Sequence, residues 1–375
     1  MNFIPYGKQL LDQKDMDSVV KTLKSDYLTT GPKIVEFEKA IANYCGAKYC
    51  VAVANGTGAL HLASLAILNR GDKVLTTPNS FLATSNSILY VGAKPIFVDI
   101  AQDGNIDLDL CEQKLKKDPT IKAIYAVAFS GNMVNQEKLK QLKETYNIVI
   151  LEDNAHSIGA EYNGIKAGGC INSDISIFSF HPVKHLTTGE GGAITTNSKE
   201  IYNKLLVLRT HGMVKTPEMK PWEYEMRELG FNYRITDFQC ALGLSQLDKL
   251  DGFVERRIEI AKNYDKAFQN SIIKPLYTYH GNSSYHLYVV QVDFSKLNIS
   301  KKELFIKMRE KNIGLQLHYI PINKQPYYRD LGYGDETTPI MDKYYSKCFS
   351  LPMFPKLTDS EQSYVIESLF EVLNG

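Results

Sequence analysis

Apolar side chains recur first at helical spacing. Met16, Val19, Val20 and Leu23 follow i, i+3, i+4, i+7, and Ile34, Phe37, Ile41 and Tyr44 come close to it before a stop at Gly46. Two amphipathic helices are expected there. From residue 49 the pattern changes to short continuous apolar runs: YCVAVA (49–54), KVLTT (73–77), KPIFVDI (94–100), AIYAVA (123–128), IVILED (148–153), DISIFSF (174–180) and GAITT (192–196). Helical segments alternate with them, for example from about Gly58 and Gln136. This alternation predicts an α/β fold whose mainly parallel sheet is covered by helices on both faces. After Asn232 long helices take over, one opening with Thr236 and Gln239 in a capping-box arrangement and another over about 251–269. The remainder, with strand-like YHLYVVQVDF (285–294) and GLQLHYIPI (314–322) and helices near 301–311 and 359–373, predicts a smaller C-terminal α+β domain. The boundary is expected near Leu250, giving a large domain of residues 1–250 with an N-terminal helical segment and a small domain of residues 251–375.

Composition narrows the function. The 375 residues carry 43 Lys+Arg against 42 Asp+Glu, a net charge of +1 without basic clusters, so neither nucleic acid nor an anionic membrane surface is an expected partner. Residues 50–69 and 76–93 are uncharged, but Asn55, Gly56, Gly58 and His61 interrupt the first and Pro78, Asn79, Ser85 and Asn86 the second. They read as buried strand-turn-helix units and not as membrane spans. The start MNFIPYGKQL lacks the basic and apolar regions of an export signal, and the six cysteines include no CxxC pair. Reduced thiols in a cytoplasmic protein are the expectation. A small molecule is the expected partner.

Three segments carry candidate chemistry. The turn Asn55-Gly56-Thr57-Gly58-Ala59-Leu60 leads from a strand straight into a helix, whose free amides and positive dipole end suit a phosphate. It lacks the GK[ST] of a P-loop, and His61 stands where a dinucleotide fingerprint needs its third glycine; an ordinary glycine-rich turn is the alternative. Asp153 ends an apolar strand, where an open parallel sheet points toward its ligand crevice, whereas Glu152 points to the opposite side. A turn or helix cap is the alternative for Asp153. Lys184 lies in IFSFHPVKHLTTGEGGAITT, between two strands and beside Gly189, Gly191 and Gly192, an apolar setting that lowers an amine's affinity for protons and suits a Schiff base. His181 and His185 have the spacing of a metal pair, but Pro182 and the missing HExxH glutamate argue against one, and no metal is expected. A phosphate-holding helix start, a strand-end carboxylate and a buried lysine together meet the needs of pyridoxal phosphate: amides for its phosphate, an anion for its ring nitrogen and an amine for its aldehyde.

The motifs NGTGALHLA, TTPNSFLATSN, GAKPIFVDI, EDNAHSIGAEY, SFHPVKHLTTGEGGAITT, LRTHGM and LGFNYRITDFQCALGLSQL run in this order, from about Pro5 to the SLPMFP segment at 350–355. They resemble the DegT/DnrJ/StrS family of sugar-nucleotide aminotransferases. The resemblance implies a fold type I pyridoxal phosphate enzyme, a homodimer with active sites shared across its interface. It places the family's Schiff-base lysine on Lys184 and the partner of the pyridine nitrogen on Asp153. His156 takes the position near the phenolic oxygen, Phe81 that of the ring stacked on the cofactor, and Thr57, the Gly58 amide and Ser179 those around the phosphate. Asn232 matches the residue that reaches this phosphate from the neighbouring subunit, with Arg234 beside it as a cross-subunit contact to the sugar nucleotide. The family's dehydratase branch has histidine in place of the lysine, so Lys184 implies amino transfer.

Within the family, DGNID (103–107), HPVKHLTT, RTHGM and LQLHYIPI are most similar to the branch acting in pseudaminic acid biosynthesis, a route to cell-surface polysaccharide. That implies L-glutamate as amino donor and a UDP-linked 4-keto-6-deoxy-N-acetylhexosamine as acceptor. A dTDP-linked 3-keto or 4-keto sugar, or a catalytically silent cofactor-binding regulator, are the alternatives. Two positions depart from the pattern: Asn55-Gly56 precedes Thr57 where Ser-Ala is expected, and His185 follows the lysine where proline is usual. Tyr6, Thr29, Arg234, His318 and Tyr319 are the candidates to line the substrate pocket.

Overall fold

The computed structural model describes residues 2–374. Seven strands build the central sheet: β1 (Tyr49–Val53), β2 (Lys73–Thr76), β3 (Lys94–Phe97), β4 (Ile121–Val127), β5 (Val149–Asp153), β6 (Ile175–Ser179) and β7 (Gly192–Thr196). All seven coincide with the predicted apolar runs. Their order is β1-β7-β6-β5-β4-β2-β3. Strands β2 through β6 pair in parallel, and β7 runs antiparallel to both its neighbours, β1 and β6. The run KPIFVDI stops early as a strand, at Phe97, because its neighbour β2 ends at Thr76 and accepts one last amide from Val98.

Successive side chains of each strand enter opposite layers, as a pleat requires. Val74, Tyr125, Leu151 and Ile175 pack with Leu60, Ala63, Ile88 and Leu205 of the helices on one face. Leu75, Ile124 and Ile150 pack with Leu115, Leu139 and Leu142 on the other. Both layers are apolar, which is why the strands read as unbroken hydrophobic runs. The two N-terminal helices are Gln13–Leu23 and Pro32–Cys45, the second ended by Gly46 at φ 77°, a left-handed cap that glycine adopts without strain.

The helix Leu250–Phe268 joins two cores: Leu250 packs beneath the sheet, and Ile260, Tyr264 and Phe268 pack in a second cluster with Leu304, Met308, Val365 and Leu369. That C-terminal cluster covers one face of a three-stranded antiparallel sheet formed by residues 274–275, 288–291 and 348–351. Here two expectations change. The strand expected over 285–294 is confined to Tyr288–Gln291, because residues 284 and 287 are held instead by the carbonyls of Gly131 and Ser130. The strand expected over 314–322 is an irregular extended segment that pairs only through isolated bridges, Ile4–Ile313 and Gln316–Ser350, because its next residues face a cavity and not a neighbouring strand. The buried guanidinium of Arg257 donates to the carbonyls of Tyr285, His286 and Met353, fastening the long helix behind that cavity. No helix among the described residues is long and apolar enough to cross a membrane.

Candidate active site

A cavity of about 1000 Å³ opens where the carboxyl ends of the parallel strands meet the 316–319 segment. Val127, Asp153 and Ser179, the last residues of β4, β5 and β6, lie on its wall, as expected of a ligand crevice in an open α/β sheet. The helix after β1 begins here. Gly56 lies so close to β6 that a Cβ on it would come within 2.9 Å of the Ser179 Cβ, so glycine is what lets this turn bring Thr57 beside Ser179. Asn55 caps the helix in extended conformation and accepts the Gly58 amide at 2.7 Å. The structure therefore differs from the expectation for Gly58: the residue lines the cavity, but its amide serves the cap. The amides of Gly56 and Thr57, in the first turn, have no carbonyl of their own helix to meet.

Asp153 is buried, and its two oxygens are held separately. Oδ2 accepts the Thr84 hydroxyl at 2.6 Å and Oδ1 the Ala155 amide at 3.1 Å. Burial raises this carboxyl above the ordinary range, while both hydrogen bonds and the positive charge of Lys184 pull it back. Glu152 leaves the opposite face, as expected, toward Gln136 and Ser173. Lys184 is half-buried in the cavity wall, and lost hydration there pushes its ammonium down to about 8, with Asp153 opposing the shift.

His156 is buried, and desolvation together with Lys184, His318 and His185 pushes it well below the ordinary histidine value, so it is a neutral imidazole. Its Nε2 lies 3.2 Å from the Tyr319 hydroxyl, its Nδ1 has no partner, and its ring packs 4.3 Å from that of His286. His318 Nδ1 lies 2.8 Å from the Ser350 hydroxyl, and burial, aided by Lys184, brings it to about 3. Tyr6 packs 5.5 Å from His318. Phe81 stands at the mouth with 59% of its surface exposed, an apolar face available for stacking.

Ten predicted residues thus share one cavity: Tyr6, Thr57, Gly58, Phe81, Asp153, His156, Ser179, Lys184, His318 and Tyr319. Three do not. Thr29 is exposed and bridges Thr236, Asn232 is exposed and bridges Thr210, and Arg234 is half-buried outside the lining. The sequence reading missed Ser80, Thr84, Tyr233 and His286, all on the wall. For Thr84 a signal was present, a hydroxyl pair four residues apart at a helix start; for His286 none was, since it sits inside an apparent strand.

Comparison with known proteins decides the family: the model of the DegT/DnrJ/EryC1/StrS aminotransferases matches residues 9–370. The chain belongs to that family. It is 41% identical, over 99% of its length and 97% of the relative's, to the UDP-4-amino-4,6-dideoxy-N-acetyl-beta-L-altrosamine transaminase of Campylobacter jejuni strain 81-176. Among solved structures it superposes on Helicobacter pylori PseC, an aminotransferase involved in the biosynthesis of pseudoaminic acid, with TM-score 0.93 and 31% identity over 100% of both chains. It superposes on Spr1654 of Streptococcus pneumoniae in the PLP form with TM-score 0.90 and 30% identity over 99% of each chain.

The family's cofactor is pyridoxal phosphate, and the cavity fits it. A half-buried amine, a buried carboxylate, an unpartnered imidazole Nδ1 and a helix start with two unclaimed amides lie around one volume. The bound cofactor supplies a carbonyl carbon and an electron-withdrawing ring. An ammonium has no lone pair with which to bond that carbon. Covalent uptake of pyridoxal phosphate by the cofactor-free chain should therefore accelerate about tenfold per pH unit below about 8 and level off above it. Stopped-flow absorbance after mixing measures this, and a rate constant flat from pH 6 to 8.5 would refute the assignment of Lys184.

Proposed function

We propose that this chain transfers the amino group of L-glutamate to the 4-keto carbon of a UDP-linked 4-keto-6-deoxy-N-acetylhexosamine. The observation that carries the reading is the single cavity in which Lys184 and Asp153 face Tyr6, His318 and Tyr319. The name carried by the C. jejuni relative, at 41% identity across nearly all of both chains, supports that sugar. In this reading Lys184 moves the proton between donor or acceptor carbon and cofactor, Asp153 holds the ring nitrogen's charge, and His156 meets the phenolic oxygen. Thr57, Ser179 and the helix start hold the phosphate.

The same reading makes the working unit a homodimer. Among the described residues, Lys184 is the one lysine on the cavity wall, and no arginine lines it, while Asp153 and Glu190 do. A sugar diphosphate needs more positive charge than that. In this reading Asn232 and Arg234, which lie outside their own chain's cavity, serve a second copy's. We take residues 1–250 and 251–375 as the two domains, with the cavity at their joint. The cytoplasm suits the six cysteines, all buried free thiols.

The test offers purified enzyme, L-glutamate and a panel of UDP- and dTDP-linked 3-keto and 4-keto 6-deoxysugars, with products identified by mass spectrometry and NMR. The UDP-4-keto N-acetyl compounds should be aminated most efficiently. Amination of a dTDP-3-keto sugar, with no turnover of the UDP-4-keto compounds, would overturn the substrate and leave the family untouched.

A further inference from the structure

Asp153 is the residue on which the proposed chemistry turns, yet the fold makes its charged form expensive to keep. It is 5% exposed, no arginine among the described residues lines its cavity, and Lys184, its charged neighbour, is itself partly discharged by burial. His156 and Tyr319 face the same volume as neutral groups, held so by desolvation. Beside the Ala155 amide on Oδ1, what holds the carboxylate is the Thr84 hydroxyl on Oδ2, backed by the hydroxyl of Ser80. Thr84 Oγ1 lies 2.6 Å from Asp153 Oδ2, and Ser80 Oγ lies 2.8 Å from Thr84 Oγ1. All three are buried, with Ser80 4% and Thr84 1% exposed.

We propose that Thr84 is a positioning residue for Asp153, and Ser80 for Thr84, the two hydroxyls forming a one-way donor chain that keeps the carboxylate charged and fixed in orientation toward the cofactor ring. The direction follows from proton counting. An ionised carboxylate only accepts, so the single Thr84 proton points to Oδ2. The Thr84 oxygen then presents lone pairs to Ser80, whose proton completes the chain. A threonine in a helix usually returns its proton to a carbonyl of the preceding turn. Here residue 80 precedes the helix Leu82–Tyr90 and offers a hydroxyl instead, which leaves the Thr84 proton for Asp153. Thr84 is also the third residue of that helix, so the positive end of the helix dipole lies on the same side as the carboxylate.

This inference rests on the assignment of Asp153 made above and adds two residues to it. The test compares Thr84→Val, which keeps shape and removes the donor, with Thr84→Ser, which keeps the donor and removes the methyl, and with Ser80→Ala. Thr84→Val should lower kcat roughly 10- to 100-fold, the range for a hydrogen bond to a charged group, with KM for both substrates within about threefold. The acidic limb of its pH–kcat profile should move up by about one pH unit, because a carboxylate without its donor binds a proton more readily. Retention of pyridoxal phosphate on ultrafiltration, read without turnover, should fall alongside. Thr84→Ser should restore all three to within about threefold of the parent, and Ser80→Ala should fall between. Thr84→Val with the parent's acidic limb and cofactor retention would overturn the proposal, and so would Thr84→Ser impaired as severely as Thr84→Val. If Thr84→Val does not fold, Ser80→Ala decides, an unmoved acidic limb overturning the chain. A parent enzyme that transfers no amino group would refute the reading of function, and cofactor retention would still test the hydroxyls.

Discussion

Lys184→Ala should lower amino transfer about 10⁴-fold or more while leaving the fold intact, because two separate duties vanish with one amine. In the proposed reading it anchors the cofactor as the nucleophile toward its aldehyde, and as a base it carries the proton between carbon atoms, a role worth about 10²- to 10⁴-fold in enzymes generally. Its position makes it fit for both. Lost hydration brings the amine to about 8, so near neutrality an appreciable fraction has a lone pair, and Asp153 keeps the shift from going further. Truncating this half-buried lysine removes a partly desolvated charge, so the variant's melting temperature should hold or rise. The check has three parts: turnover with L-glutamate, covalent labelling of the Lys184 peptide after borohydride reduction, and partial rescue of turnover by a small primary amine. A variant that retained the label elsewhere and turned over at the parent rate would remove Lys184 from the chemistry.

The sheet was legible in the sequence for a physical reason. Strands covered on both faces have no polar side to display, so β1 to β7 appear as apolar runs of strand length, and Asn-Gly-Thr-Gly after β1 and the terminal aspartate of β5 mark where those two strands meet the crevice. Their order was not legible, since the pairing of β7 between β1 and β6 brings together residues far apart in the chain. The same division holds in the site. Lys184, Asp153 and the turn at Thr57 each carry their chemistry in a local pattern. Thr84 joins the site through a bond spanning 69 residues, and His286 through packing on the ring of His156, which is far from it in the chain. The 314–322 segment shows the converse error: it reads as a strand, but its consecutive residues Gln316, Leu317, His318 and Tyr319 line a cavity, which sequence periodicity cannot distinguish from a neighbouring strand.

Asp153→Asn should separate function from stability by moving them in opposite directions. The substitution keeps the shape of the side chain, and Thr84 can still donate to its oxygen, but the charge proposed to balance a protonated ring nitrogen is gone. Turnover should fall about 10³-fold, within the span that electrostatic groups of this kind contribute. The cofactor-free protein should be no less stable, because a buried carboxylate whose proton affinity is raised by desolvation costs stability whenever it is ionised. The sign of the pH dependence follows. Between the ordinary value of 3.8 and the raised one, the folded chain holds a proton that the unfolded chain releases, so the parent's stability falls as pH rises through that window. The asparagine variant has no such proton and lacks that slope. Denaturant titrations of both cofactor-free proteins across mildly acidic pH measure the difference. A variant that lost stability at every pH, or that kept parent turnover, would show that Asp153 serves the fold and not the ring.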